Sequence, residues 1–180
     1  MRKLPKKLLT AFVVTTLAGA CLHFLYVLLP NPVTALLAPV NESLWEHLKI
    51  FFWPYLAAAL LLTRGGERGC RAPWMLSALL LCVVMLCAGY FYHIVLGGER
   101  LAVDLGLYVL LMAAGFLLPG VFCHVGERTG VRDIILLLTV TMAGAIAIFT
   151  FLPPDHILFT DLSGVNTWAT IPYETEIKTM

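Results

Sequence analysis

The sequence predicts an all-α integral membrane protein, a bundle of five transmembrane helices with the N-terminus inside the cell and the C-terminus outside. Two observations predict this class: five long apolar runs fill the chain, and the basic residues alternate across them. Of the 180 residues, 60% are hydrophobic and only 13% are charged, whereas an ordinary soluble domain is roughly a quarter charged. The composition therefore indicates a protein whose solvent is largely lipid.

Each apolar run can cross a bilayer, because a helix needs about 20 residues to span about 30 Å of hydrocarbon. The predicted spans are Leu8–Pro30, Ser43–Thr63, Pro73–Leu96, Ala102–His124 and Asp133–Pro153. The first could be read as a signal peptide, but apolar sequence continues to Leu29, so we expect it to be retained as a span. Little chain remains outside the spans, and we therefore expect one domain, 1–180, with an external tail, 154–180.

The basic residues predict the orientation. Nine precede span one or follow spans two and four: Arg2, Lys3, Lys6, Lys7, Arg64, Arg68, Arg71, Arg128 and Arg132. Three fall on the other side: Lys49, Arg100 and Lys178. The positive-inside rule then places the N-terminus in the cytoplasm of a multi-pass protein of the cell membrane. These short clusters form no continuous basic patch, so we expect the lipid bilayer, a membrane-protein partner or a second copy as partners, and no nucleic acid.

The ionisable residues that this orientation places outside are the candidates for chemistry. His23 lies in the outer third of span one, His93 near the outer end of span three, and Asp104 near the outer start of span four. Asp155, His156 and Asp161 follow span five on the same side. Ionisable groups at membrane depth are costly and usually face a partner or a wet cavity, which makes these residues functional candidates.

The most specific local pattern is Asn41-Glu42-Ser43-Leu44-Trp45-Glu46-His47-Leu48-Lys49. Ser43 and Glu46 have capping-box spacing, so a helix should begin near Ser43. Helical spacing would place Glu42, Glu46 and Lys49 on one face. One interpretation is structural, with Lys49 neutralising Glu46 at an interfacial helix start. The other is functional, with Glu42, Glu46 and His47 as catalytic candidates in a proton relay or a metal site.

A metal site would use carboxylate and neutral imidazole ligands, which suit zinc or iron. The candidate ligands are His23, Glu46, His47 and His93. The spacing matches no established metal motif, so the cofactor stays open between a metal and none.

At residues 41–49, followed by Phe51-Phe52-Trp53-Pro54, the chain resembles a family of small bacterial integral membrane proteins of unknown function. The tail from Pro153-Pro154 through Asp161 to Gly164 is similar to the end of that family. The resemblance implies a multi-pass fold and brings no known activity.

Three hypotheses of function follow from the sequence. The first is a membrane protein that acts through helix–helix or partner interactions. The second is a membrane-embedded enzyme with an outward-facing carboxylate and histidine site, which a metal could complete. The third is a component of a transporter. In each case we expect the apolar tail residues Ile157–Phe159 and Trp168 to pack over the outer helix ends, bringing Asp155, His156 or Asp161 near 41–49.

Overall fold

The protein is seen here as a computed structural model, which describes residues 6–66 and 70–163. Every element in the described part is helical, which confirms the all-α class. The long helices are α1 (Lys6–Leu28), α3 (Leu44–Leu62), α4 (Ala72–Gly89), α5 (Leu101–Val121) and α6 (Thr129–Phe151), and the short helix α2 is Pro32–Leu37. A π-helix, Tyr90–Val95, continues α4, and two short 3-10 helices are Cys123–Glu127 and Ile157–Phe159.

The five long helices run in alternating directions. The end of α1 meets the start of α3, because His23 and His47 lie side by side with ring centroids 5.4 Å apart. The end of the α4 extension meets the start of α5, where His93 Nε2 is 3.0 Å from Asp104 Oδ1. We call the end of the bundle that carries His23, His47 and His93 the histidine end.

Four helices are long and apolar enough to cross a membrane: α1, α4 with its π-helical extension, α5 and α6. Helix α3 is not among them, because its first half carries Glu46, His47 and Lys49. This helix lies at the centre of the bundle and packs against α1, α4, α5 and α6. Its polar groups are therefore covered by protein, and the transmembrane count of five stays a prediction.

The core forms around the middle of α3. Phe51, Phe52 and Tyr55 are fully buried there together with Met112 of α5. Tyr55 donates a hydrogen bond of 2.6 Å to the carbonyl oxygen of Gly115, so its polar atom is satisfied inside an apolar core. A side chain at Gly115 would collide with the Tyr55 ring, and glycine is what allows α5 to approach.

Helix α1 approaches its neighbours at Gly19. The Tyr108 hydroxyl of α5 donates a 2.8 Å hydrogen bond to the carbonyl oxygen of Thr16. A Cβ atom at Gly19 would overlap the Tyr108 hydroxyl and the Ile50 carbonyl oxygen. This glycine therefore sets how closely α1 packs, and with it the position of His23 one turn further on.

The short helix α2 was not predicted, although the sequence signals it. Asn31 accepts hydrogen bonds from the amides of Val33 and Thr34, and Pro32 occupies the first helical turn. Asparagine at the N-cap followed by proline is a recognised helix start. The carbonyl oxygens at the end of α2 point at α3. One of them, that of Leu36, accepts a 2.9 Å hydrogen bond from Nε1 of Trp53 in α3.

The chain after α6 turns back over the start of α3. Phe159 packs against Trp45, with ring centroids 5.1 Å apart, and against Phe149 at 5.5 Å. The amide of Glu42 donates a 3.3 Å hydrogen bond to Asp161 Oδ1. In the segment up to residue 163, Phe159 thus packs on the ends of α3 and α6, and Asp161 lies beside residues 41–49. Trp168 and the remainder of 164–180 lie outside the described residues.

Candidate metal centre

The geometry of the histidine end begins at the N-cap of α3. Ser43 has an extended backbone and its side chain accepts a 3.3 Å hydrogen bond from the Glu46 amide, as the cap predicted from sequence requires. His47 follows one turn on, and its Nδ1 lies 2.8 Å from the Ser43 carbonyl oxygen. A carbonyl can only accept, so Nδ1 carries a proton and this hydrogen bond fixes the ring. Nε2, which faces Glu42, is the nitrogen that would bind a metal in place of its proton.

Glu42 lies between two histidines from different helices. Its Oε2 is 3.2 Å from His47 Nε2 and its Oε1 is 3.6 Å from His23 Nε2. The hydrogen bond with His47 lowers the pKa of the Glu42 carboxyl, which partial burial alone would raise. Glu42 is therefore held as a carboxylate, the form that binds a cation.

His23 is held less firmly than His47. Its Nδ1 is buried and has no hydrogen-bond partner among the residues that the structure describes. Its ring packs edge-on against Phe24 of the same helix, at 5.0 Å between centroids. The direction of Nε2 towards Glu42 is therefore set by the position of His23 on α1 and not by a hydrogen bond to Nδ1.

The three side chains fit a metal ion. His23, Glu42 and His47 each offer one ligand atom, and these atoms all lie within 4.8 Å of one another. Ligands of a tetrahedral zinc stand about 3.3 Å apart, given bonds of about 2.0–2.1 Å. The separations of 3.2 and 3.6 Å are made by different oxygens of Glu42. A zinc ion bound by one of these oxygens would therefore need the three ligand atoms, now within 4.8 Å of one another, to close to this spacing. Two imidazoles and a carboxylate supply three ligands, and a catalytic zinc keeps its fourth position for water or substrate.

The cluster opens onto a cavity of about 540 Å³ between the ends of α1 and α5. His93 and Asp104 line the same cavity as the cluster. His93 also lies 2.8 Å from the Gly98 carbonyl oxygen through Nδ1, which leaves Nε2 facing Asp104 at 3.0 Å. His93 sits in the π-helix Tyr90–Val95, and π-helical turns are frequent at functional sites.

Glu46, a candidate for both a catalytic and a metal-binding role, is not part of this cluster. Its Oε2 lies 2.6 Å from Lys49 Nζ and accepts a 2.8 Å hydrogen bond from the Val40 amide, and Glu46 does not line the cavity. Glu42 precedes the N-cap, Ser43, and is therefore not part of the helix. For this reason it does not share a helical face with Glu46 and Lys49, contrary to the prediction from their spacing. The carboxylate beside the two histidines is therefore Glu42, a predicted catalytic candidate, and not Glu46, the predicted metal ligand.

The remaining candidates are placed as follows. His47 and His23 meet as expected, whereas His93 pairs with Asp104 across the cavity and not with the other two histidines. Sequence spacing alone could not join Glu42 to His23, because 19 positions separate them. The signal that was available is the short loop between α1 and α3, which makes these helices neighbours.

Comparison with known proteins adds a family to this geometry. The model of a family of unknown function, DUF6512, matches residues 1–166. The chain belongs to the DUF6512 family. No curated protein and no solved structure matches it. The DUF6512 match covers all the residues of the candidate metal centre, and it supports the expectation of an uncharacterised family without indicating an activity.

Proposed function

We propose that this DUF6512 protein is a five-span membrane protein with its N-terminus in the cytoplasm and its histidine end outside. The alternating helix directions support this, because α3, with 19 residues, runs antiparallel to two candidate spans. At about 1.5 Å per residue, its length approaches the hydrocarbon thickness. Of the described arginines, Arg64, Arg71, Arg128 and Arg132 lie at the end opposite the histidines, and one, Arg100, lies at the histidine end. This bias supports a cytoplasmic location of the end opposite the histidines.

We propose further that the protein is a zinc-dependent membrane hydrolase. The observation that carries this is the convergence of His23, Glu42 and His47 from α1, the loop and α3 at the wall of a cavity. Three nitrogen and oxygen ligands with an open fourth position are typical of catalytic zinc sites, whereas structural zinc sites are closed by four protein ligands. The Ser43 carbonyl orients His47 as outer partners of zinc ligands commonly do.

The cavity supplies the other groups that hydrolysis needs. His23, Glu42 and His47 would hold the zinc ion, which would supply a water of lowered pKa for attack on a substrate in the cavity. The His93–Asp104 pair on the same cavity is the candidate for proton transfer to the leaving group, since the Asp104 carboxylate orients the imidazole at 3.0 Å. Water is consumed, one bond of the substrate breaks, and the proton passes to the departing atom.

Zinc content tests the proposal directly. The purified full-length protein, incubated with zinc and dialysed, is expected to retain about one zinc ion per chain by elemental mass spectrometry. The variants Glu42→Gln and His47→Ala are expected to retain much less, because removing a ligand or its partner costs about 10–100-fold in metal affinity. His23→Ala is expected to behave in the same way, since only three ligands are available.

The chain contains a matched control. His124 and Glu127 also form a histidine–carboxylate pair, 3.1 Å apart, but both side chains are exposed and no third ligand joins them in the described residues. The double variant His124→Ala/Glu127→Gln should therefore retain zinc as the wild type does. Retention of zinc by Glu42→Gln at the level of this control would contradict the assignment.

The other two hypotheses of function remain predictions. An interaction protein would co-purify with a stoichiometric membrane partner, and a transporter component would support solute flux in liposomes. Neither outcome requires zinc, so the zinc measurement separates the enzyme from both.

A further inference from the structure

We infer that the cavity binds a single-chain amphiphile with an uncharged head group, which would be the substrate class of the hydrolase. This inference rests on the proposed function, because it places the polar head beside the zinc ligands. Its evidence is separate: the shape, rim and charge of the cavity between α1 and α5.

The cavity has an apolar floor and one polar wall. The hydrogen bond from Tyr108 to Thr16 joins α5 to α1 below the cavity and closes it towards the membrane centre. Above this contact, Ala20 of α1 and Leu107 of α5 line the space together with Met85 of α4. The cluster of His23, Glu42 and His47 lies on the side of the cavity nearest the histidine end of the bundle. A ligand that fills the cavity therefore contacts hydrocarbon over most of its length and polar groups at one end.

The mouth of the cavity faces two environments. Phe24 of α1 and Leu105 of α5 line it and are 61% and 55% exposed, and in a membrane such helix faces meet acyl chains. Glu99 and Ser163, also in the lining, are exposed polar residues at the histidine end. An amphiphile resting in the interface can therefore enter from the lipid side with its head group already at the level of the cluster.

The size of the cavity favours a ligand with one chain. Its volume, about 540 Å³, lies in the lower half of the range of about 300–1,000 Å³ that is typical of a site for one small ligand. A space of this size suits one alkyl chain with a small head group better than the two chains of a phospholipid.

The charge of the lining selects the head group. Glu42, Glu99 and Asp104 line the cavity, and within the described part of the chain no lysine or arginine does. A zinc ion would offset two of these three carboxylates, so a phosphate or carboxylate head group would still meet a repulsive wall. Hydroxyl and ester groups carry no charge and can accept or donate hydrogen bonds at His93 and Asp104. An uncharged ester head group is therefore favoured.

Photo-crosslinking tests this inference with the full chain in phosphatidylcholine nanodiscs. The probe is monopalmitoylglycerol with a diazirine in its acyl chain, and the labelled residues are mapped by mass spectrometry. We expect saturable labelling of α1 and α5 around Phe24 and Leu105, reduced by unlabelled monopalmitoylglycerol. Palmitate with the same diazirine should compete about tenfold less well.

Two variants check that the label reports the cavity. Ala20→Trp should fill the space, and Leu105→Trp, at an exposed position that tolerates a larger side chain, should block the mouth; each should reduce labelling about tenfold. Val140→Trp is the control, because Val140 is 61% exposed on α6 and does not line the cavity. Labelling that does not saturate, or that spreads over the lipid-facing residues of all helices, would overturn the inference, as would preferred binding of palmitate.

The two proposals fail separately. Zinc is measured in the same nanodisc samples, and labelling is repeated after treatment with a chelator. Zinc bound in the wild type without saturable labelling would refute the amphiphile and leave the metal centre standing. Saturable labelling of a protein that never retains zinc would refute the hydrolase, and the cavity would remain a lipid-binding site.

Discussion

Lys49 and Glu46 form an ion pair in the centre of the bundle, and both side chains are almost completely buried. The Lys49 ammonium also donates to the carbonyl oxygens of Ala35 and Ala38, at 2.7 and 3.3 Å. The negative end of the helix dipole of α2 thus faces the cation. These partners of Lys49 are fixed acceptors, so the charge is paired by groups of the protein itself.

Removing the cation should therefore destabilise the protein strongly. Lys49→Met leaves the Glu46 carboxylate buried with only the Val40 amide and the Thr150 hydroxyl as donors, at 2.8 and 3.4 Å. The loss of one partner of a buried pair costs about 3–5 kcal/mol. We expect a loss of this size in the free energy of unfolding, measured by denaturation in mild detergent, and we expect Glu46→Gln/Lys49→Met to recover most of it.

An exposed pair provides the comparison. Arg132 Nε lies 3.1 Å from Asp133 Oδ1, but the Asp133 side chain is 66% exposed. Water screens such pairs, and they contribute about 0–1 kcal/mol. Asp133→Asn should therefore change the stability little. Equal effects of Lys49→Met and Asp133→Asn would show that the central pair is not buried in the folded protein.

These residues also show how far local spacing can be used. The pairing of Glu46 with Lys49 followed from positions three apart on a helix, and the cap at Ser43 followed from its residue type. The position of Glu42 could not be predicted in this way, because the helix begins after it and loop geometry sets its direction. The predicted ligand candidates therefore included Glu46 and His93, which lie outside the cluster, and left out Glu42, which lies in it.

At the scale of the elements, the approach of α1 determines the candidate metal centre. His23 reaches Glu42 only because Gly19 lets α1 lie against Tyr108 and Ile50. The other two candidate ligands lie on the loop and on the start of α3, and their positions do not depend on this approach. The site is therefore sensitive to a residue that carries no functional group.

Gly19→Ala should displace α1 and weaken the site together. The new methyl group would overlap two oxygen atoms of neighbouring helices, and overpacking of this kind costs about 1–3 kcal/mol. We expect lower stability in detergent and a lower retention of zinc, measured on the same preparation. Zinc retention should fall by less than in His47→Ala, since α1 can shift without losing His23 entirely.

Gly144→Ala is the matched control for this substitution. Gly144 also lies within a long helix, α6, but a Cβ atom there meets no described atom within 4 Å. It should leave both stability and zinc retention unchanged, or raise stability slightly because alanine favours helix. If Gly19→Ala and Gly144→Ala had equal effects on stability and zinc retention, the close contact of α1 with Tyr108 and Ile50 would be contradicted.

The elements differ in how well the sequence predicts them. The five long helices were expected within a few residues of their bounds, because apolar runs of this length have few alternatives in lipid. The short helix α2 was missed, since six residues carry no periodic pattern and only its Asn31-Pro32 start marks it. The π-helix at His93 has no sequence signal that could have been used, because tertiary packing decides where a helix widens.

On the scale of the whole molecule, the charges are distributed unevenly between the two ends of the bundle. The histidine end holds six of the eight described carboxylates, and four of the five described arginines lie at the opposite end. Helix α3 connects the two regions through the centre, and its charged first half is shielded by four neighbours. This arrangement explains how a helix of modest hydropathy can lie among more apolar ones: protein, rather than lipid, surrounds its polar residues.

The orientation of this bundle in the membrane is the last prediction. Because basic loops are retained in the cytoplasm, an alkaline phosphatase reporter fused after Arg68 should be inactive and one fused after Asp161 should be active. A green fluorescent protein reporter should give the opposite pair of results, since it fluoresces when it folds in the cytoplasm. The two fusion points lie on opposite sides only if an odd number of helices crosses between them, and α4, α5 and α6 supply three.

An added test concerns α3: a fusion within the loop before it, after Val40, should be external, and the fusion after Arg68 internal. If both read as internal, α3 does not cross the membrane and the five-span proposal is wrong.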